Sequence, residues 1–185
     1  MFKRWRARRL GRTLPVYQPR TESSHVLQVY GGDFPADAVA TFMREGIAIG
    51  EVGLLVATPE HVAAVDALLG DVRAKVIYLD AAKTLDRILL HGRPDRLRFL
   101  DAVGDVVEQA ANAGNSRVRA FGEMVALLCQ RGEPRAAKEL EDLWNELGVR
   151  HGLTLLCSYP VGAFAGLTSP YAMPLRDAHS HAIPA

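Results

Sequence analysis

The side chains able to do chemistry in this sequence of 185 residues are scattered, and their spacing first excludes reaction classes. No Gly-Lys pair occurs, so the loop G-x-x-x-x-G-K-[ST] that cradles nucleotide phosphates is missing. Where such a loop would follow the first apolar run, the chain reads Gly31-Gly32-Asp33-Phe34-Pro35. Asp33 repels a phosphate, and Pro35 has no amide hydrogen to offer one. The dinucleotide pattern G-x-G-x-x-G, the nucleophile elbow G-x-S-x-G and the zinc helix H-E-x-x-H are also missing. His179-Ser180-His181 brings two imidazoles together without a placed third ligand, so neither a metal nor a cofactor is predicted. His25, His61, His91 and His151 are dispersed and read as surface or helix-end residues. Cys129 and Cys157 each follow a pair of leucines, outside any C-x-x-C pair, and read as reduced, buried thiols of a cytoplasmic protein.

Glu123 is the acid with most to offer. It follows the apolar run Val118-Arg119-Ala120-Phe121 and precedes a second apolar run, so its carboxylate is expected to be half-buried and to need a partner. Period-2 alternation places residues 119, 121 and 123 on one side, which predicts an Arg119–Glu123 pair beside Tyr30. Such a pair is either scaffold or a ligand-reading carboxylate, and the residues alone leave both open.

The elements that must position these groups follow from hydrophobic periodicity. Strands are predicted at 25–30, 52–57, 75–79, 117–121 and 153–159. Between them lie helical runs. Asp33 is expected to cap one with apolar positions Val39, Phe42 and Met43. Thr58-Pro59-Glu60 is a strong start for the next. Asp80 caps a third, Pro94 opens a fourth, a short apolar helix runs through Val125 and Leu128, and Glu133-Pro134 starts the last. Gly50, Gly70, Gly92, Gly114, Gly132 and Gly148 each fall just past a run, where a left-handed residue is wanted. Residues 160–185 read as irregular. The pattern predicts an α/β fold of three layers: a mainly parallel sheet of five strands or slightly more, with helices on both faces. Ligands of such sheets bind beyond the carboxyl ends of the strands. The candidate ligand-binding residues are therefore Tyr30, Gly31, Asp33, Thr58, Arg119, Glu123 and Tyr159, with none assigned as catalytic. Thr58 and Asp80 also have a plainer role as helix caps.

Composition places all of this in one domain over residues 23–185. Hydrophobic residues make up 49% and charged residues 23%, which suits an ordinary packed core. No apolar run approaches the ~20 residues of a membrane-spanning helix. The formal charge of +1 hides an asymmetry: seven of the 22 Lys and Arg residues fall within the first twenty positions, leaving fifteen against 21 acids in the rest. Residues 1–22 form a basic arm whose Lys3, Arg4, Arg6, Arg8, Arg9 and Arg12 are candidates for contact with an anionic membrane or nucleic acid. Arg8-Arg9 is followed by no apolar stretch, so a signal peptide is not predicted.

Several segments together resemble a known family. They are His25-Val26-Leu27-Gln28-Val29-Tyr30, Phe42-Met43-Arg44-Glu45-Gly46-Ile47-Ala48-Ile49-Gly50-Glu51 and Arg117-Val118-Arg119-Ala120-Phe121-Gly122-Glu123-Met124. Leu140-Glu141-Asp142-Leu143-Trp144-Asn145, Leu155-Leu156-Cys157-Ser158-Tyr159-Pro160 and the closing His179-Ser180-His181-Ala182-Ile183-Pro184 add to them. In order and spacing they resemble the MEDS domain, the sensory domain named for methanogen and methylotroph regulators and the dichloromethane-responsive repressor. The likeness covers roughly residues 24–184. It implies a RecA-like core without the phosphate loop, and a non-enzymatic sensory role for small, hydrocarbon-like ligands. It also implies a signalling partner, such as a histidine kinase, an anti-sigma module or a transcription regulator, reached in trans unless the chain is a piece of a longer protein. The segment Leu69–Lys75 is shorter than the family's usual link between the second helix and third strand. Tyr30, Arg119 and Glu123 carry over as site candidates.

The arm lies outside every amphipathic pattern, which gives a first prediction. Removing residues 1–20 should leave the melting temperature unchanged and abolish any binding to anionic liposomes or DNA, binding that in the full chain weakens steeply with salt. Equal binding by the two forms, compared by co-sedimentation, would remove the tether.

Overall fold

The computed structural model describes residues 23–112, 117–165 and 174–183. The basic arm with Lys3, Arg4, Arg6, Arg8, Arg9 and Arg12, and Gly114, lie outside them. From the first strand β1 (Ser24–Tyr30) the chain runs through α1 (Ala36–Ala48), β2 (Val52–Ala57), α2 (Pro59–Leu69), β3 (Val76–Asp80) and α3 (Ala81–Ile88). A two-residue ribbon, β4 (Leu89–Leu90) with β5 (Arg93–Pro94), leads to α4 (Arg96–Phe99), which a π-helical turn joins to α5 (Asp105–Asn112). Then follow β6 (Val118–Gly122), α6 (Met124–Gln130), α7 (Pro134–His151), β7 (Thr154–Pro160), α8 (Val161–Ala165) and β8 (His181–Ile183).

One sheet of six parallel strands runs in the order β3-β2-β6-β7-β1-β8. Connections after β1 and β2 move one way along it, and those after β3, β6 and β7 move the other. Parallel crossovers are right-handed, so the two directions must lay their helices on opposite faces. The cores agree: α1 and α2 pack with Leu55, Ala57, Phe121 and Leu156 on one face, while α3 to α7 pack with Leu54, Val56, Ala120 and Leu155 on the other. Adjacent residues of each strand thus serve different cores, as a period of two requires. On α1, Val39, Phe42, Met43, Gly46 and Ile47 recur at helical spacing and are buried.

Several local expectations need correction. Asp33 does not cap α1; the helix starts after Pro35 with no side-chain cap. Gly92 ends no helix. It follows His91 at the tip of the β4–β5 ribbon, and both residues have positive φ (52° and 77°), as a mirror-type two-residue turn demands. Gly148 lies inside α7, whose left-handed end is Gly152. The segment read as irregular holds α8, a helical turn at 174–177 and the sixth strand, whose length of three residues hid it.

The predicted Arg119–Glu123 pair does not form. Four residues of strand span about 13 Å, and Arg119 sits at the amino end of the sheet while Glu123 lies past the carboxyl end. Arg119 instead meets Glu51, just before β2, with Nε donating to Oε2 at 2.5 Å, and Nη1 donates to the Phe42 carbonyl at 3.3 Å. Its guanidinium lies over the Phe42 ring, 4.8 Å from the centroid. The two side chains are 2% and 5% exposed. Room for them comes from Gly46 of α1, where a Cβ would overlap the arginine arm and the Glu51 carboxylate.

Breaking a buried pair strands a charge, so Glu51→Ala is expected to cost about 3–5 kcal/mol, measured by urea unfolding. Gly46→Ala should cost about 1–3 kcal/mol by overpacking. A loss under ~1 kcal/mol for Glu51→Ala, the range of surface pairs, would mean the pair is solvated.

Candidate functional site

Reversals of crossover direction leave crevices at the carboxyl ends of the strands, one between β2 and β6 and another between β7 and β1. Glu123 stands at the first. Its amide donates to the Val56 carbonyl at 3.0 Å, extending the β2–β6 ladder one step beyond the strand. The chain then turns into α6, and the carboxylate reaches back over the end of β2. Oε2 accepts the Thr58 amide hydrogen at 2.8 Å, and Oε1 accepts from Nδ1 of His61. Thr58 is the N-cap of α2, its Oγ1 accepting the His61 amide at 3.4 Å. The carboxylate therefore faces the positive end of an 11-residue helix. Burial still pushes its pKa above the usual carboxylate value, against the opposing pull of the Thr58 amide and His61.

Phe34, from the glycine-rich loop after β1, stacks on the His61 ring at 3.7 Å and 8°. It meets Phe121 edge-on at 5.9 Å and Tyr30 at 6.1 Å. Burial and the nearby Glu123 charge push the Tyr30 hydroxyl pKa up. Of the predicted set, Tyr30, Thr58 and Glu123 come together here, with Gly31 and Asp33 exposed in the adjoining loop. Arg119 is remote, at the other end of the sheet. Tyr159 points to the opposite face. Asp80 caps α3. His61 and Phe34 were missed: His61 is the third residue of a helix with a strong start signal, and Phe34 is the aromatic residue of the loop that replaces a phosphate cradle.

A second cluster lies on the opposite face and was not predicted. Alternation turns His25 of β1, and Cys157 and Tyr159 of β7, toward α7, where Glu141 occupies the buried stripe with Ala137, Leu140 and Trp144. His25 Nε2 lies 3.2 Å from Cys157 Sγ and 3.3 Å from Glu141 Oε2. His179 Nε2 lies 3.2 Å from Glu141 Oε1, which also accepts the Tyr159 hydroxyl. Asn145 Oδ1 contacts His25 Nδ1 at 2.9 Å, while its Nδ2 donates to the Ala178 carbonyl at 2.9 Å. His25 and His179 are thus core residues, correcting the surface reading of His25, whereas Ser180 and His181 are exposed. Cys157, His25 and Asn145 stand in the order of a nucleophilic relay, but Cys157 is 1% exposed and burial, reinforced by Glu141, pushes the thiol pKa well up. That is the opposite of an activated thiolate. Cys129 is likewise buried, its pKa pushed up to about 12 by desolvation.

Because the folded chain favours protonated Glu123, ionising it costs stability, and the cost sets in as pH rises from the ordinary value of 4.5 through the raised folded value. Glu123→Gln keeps an acceptor for the Thr58 amide and removes the charge. The variant is expected to melt at or above the wild type at neutral pH and to lose that advantage below pH 4.5, checked by thermal melts across pH. A lower melting temperature at neutral pH would mean that the ionic bond to His61 outweighs burial.

No helix among the described residues is long and apolar enough to cross a membrane. No curated protein matches the chain. The model of the family described as MEDS, the methanogen/methylotroph, DcmR sensory domain, matches residues 24–169, a span that includes the whole carboxyl-end crevice and all but one member of the buried cluster. The chain belongs to this family of sensory domains.

Proposed function

We propose that the chain is a non-enzymatic sensory domain whose carboxyl-end crevice receives a small, weakly polar ligand and passes the change to a signalling protein. The observation that carries this reading is Phe34 lying stacked on His61, over a carboxylate held by Thr58 and His61. A phosphate subsite needs backbone amides and a cation. Here an aromatic ring, two acids (Asp33 and Glu123) and a proline stand in that region. The reversals of crossover direction on either side of β6 and β7 support a RecA-like core stripped of its phosphate loop. Ligand entry would displace Phe34 from His61 and so act on the loop that leads into α1, a route outward to a histidine kinase, anti-sigma module or transcription regulator in the cytoplasm.

Native mass spectrometry of the purified full chain, with thermal melts against short alcohols and haloalkanes, tests the reading. A small organic adduct, or a raised melting temperature that Phe34→Ala and Glu123→Gln both abolish, is the expected result. Magnesium-dependent ATP turnover above a mock preparation, lost in Glu123→Gln, would make the chain an NTPase instead.

A further inference from the structure

The buried cluster on the α7 face has an electrostatic problem as it stands. Asn145 gives its N–H to the Ala178 carbonyl, so its own carbonyl oxygen faces His25 and must take the hydrogen from Nδ1. His179 Nδ1 faces the Leu175 carbonyl at 2.7 Å, which can only accept. As neutral rings, both imidazoles turn an Nε2 lone pair inward, toward the Glu141 carboxylate and the Cys157 sulfur. Glu141 Oε2 and His179 Nε2 are buried with no hydrogen-bond partner. The Cys157 thiol has one hydrogen to give, to His25 Nε2, which leaves electron pairs of His179 Nε2 and Glu141 facing one another in a site where the Glu141 and His179 side chains are 0% exposed. Unmatched polar atoms in such a place are costly unless something electrophilic sits among them.

We propose that His25 Nε2, His179 Nε2, Cys157 Sγ and a Glu141 carboxylate oxygen form a closed, four-coordinate site for a divalent transition-metal ion of the zinc class. The four donor atoms lie within 4.8 Å of one another. Standard zinc bond lengths in a tetrahedron give donor–donor edges of about 3.3–3.6 Å. His25 Nε2 lies 3.2 Å from Cys157 Sγ and 3.3 Å from Glu141 Oε2, and His179 Nε2 lies 3.2 Å from the other carboxylate oxygen, Oε1, so a turn of the carboxylate with small side-chain rotations brings the set to these edges. Two neutral imidazoles, one carboxylate and one thiolate around a divalent cation make a formally neutral centre, the form a dry site tolerates. On binding, the Cys157 sulfur forms the metal bond and its proton leaves to solvent. The outer contacts are those of a built site: each ligating imidazole is oriented through Nδ1, by Asn145 and by Leu175, and Tyr159 holds the second carboxylate oxygen. With four protein donors and no open position the ion serves structure. It joins β1, β7 and α7 to His179, and so fastens the segment that carries β8 onto the edge of the sheet.

Elemental analysis of the full chain, purified in reductant without chelator, is expected to find about one zinc per chain. Cys157→Ser and His179→Gln should lose most of it, and Cys129→Ser should retain it. Asn145→Ala, which touches no ion, should weaken affinity about 10–100-fold through loss of imidazole orientation. Cobalt(II) added to chelator-stripped wild type gives a readout that survives any failure of the variants to fold. A thiolate-to-cobalt charge-transfer band and the intense visible bands of a tetrahedral ion should appear, with a raised melting temperature. A folded chain that purifies without metal and shows neither bands nor stabilisation would overturn the site. So would zinc retained in full by Cys157→Ser and His179→Gln. The Phe34 and Glu123 variants of the crevice should keep their metal, so this proposal and the sensory reading fail independently.

Discussion

The central strands of this sheet are covered on both faces, so each ionisable side chain they carry must be matched inside the protein. Three such matches organise the molecule. Arg119 on the α1 face is answered by Glu51 and the Phe42 carbonyl. Glu123, at the end of the same strand, is answered by the cap of α2 and by His61. His25, Cys157 and Tyr159, on the other face, converge with Glu141 of α7. Each match ties a strand to a helix that sequence distance would not bring near, and each would be destabilising if left half made.

The three clusters divide the labour by position. At the amino end of the sheet the Arg119–Glu51 clamp is buried and serves as scaffold, seated by a glycine that admits the guanidinium beneath α1. At the carboxyl end the reversal of crossover direction opens a crevice, and there the helix N-terminus, the raised carboxyl of Glu123 and the Phe34–His61 stack meet. The third cluster is closed from solvent and lies where the chain returns for its last strand. Ser180, next to His179, donates its amide to the His25 carbonyl at 2.7 Å, so backbone and side-chain contacts converge on the same residue of β1.

This separation suits a sensory domain. A ligand-responsive crevice gains from groups that can rearrange, such as a ring stacked on an imidazole, whereas its frame gains from buried ionic contacts with discrete geometry. The crevice rests on β1, β2 and β6, and the frame clusters grip β1, β6 and β7 from below and from the opposite face.

The fold class was legible in the sequence because it depends on local rules. Alternating strand and helix periods, the Thr58 and Asp80 caps, and Gly70 and Gly132 at run ends fixed five of the six strands and the layered arrangement. The identities of Tyr30, Thr58 and Glu123 as neighbours at the carboxyl end followed from topology, since strand ends converge whatever the side chains are. Pairing did not follow. Period-2 alternation gives the side of a sheet but not the height along it, so Arg119 and Glu123 share a face and stand about 13 Å apart. Glu141 carried a readable signal, a carboxylate on the stripe of Ala137, Leu140 and Trp144, yet its meaning depended on His25 and His179, which lie 116 residues before it and 38 after it. Only the strand order, which brings β1 beside β7 and returns β8 to the free edge of β1, puts those imidazoles on either side of one carboxylate. Local chemistry determined the elements and their burial; the crossovers decided which buried charges met, because partners hundreds of atoms apart along the chain are chosen by packing and not by spacing.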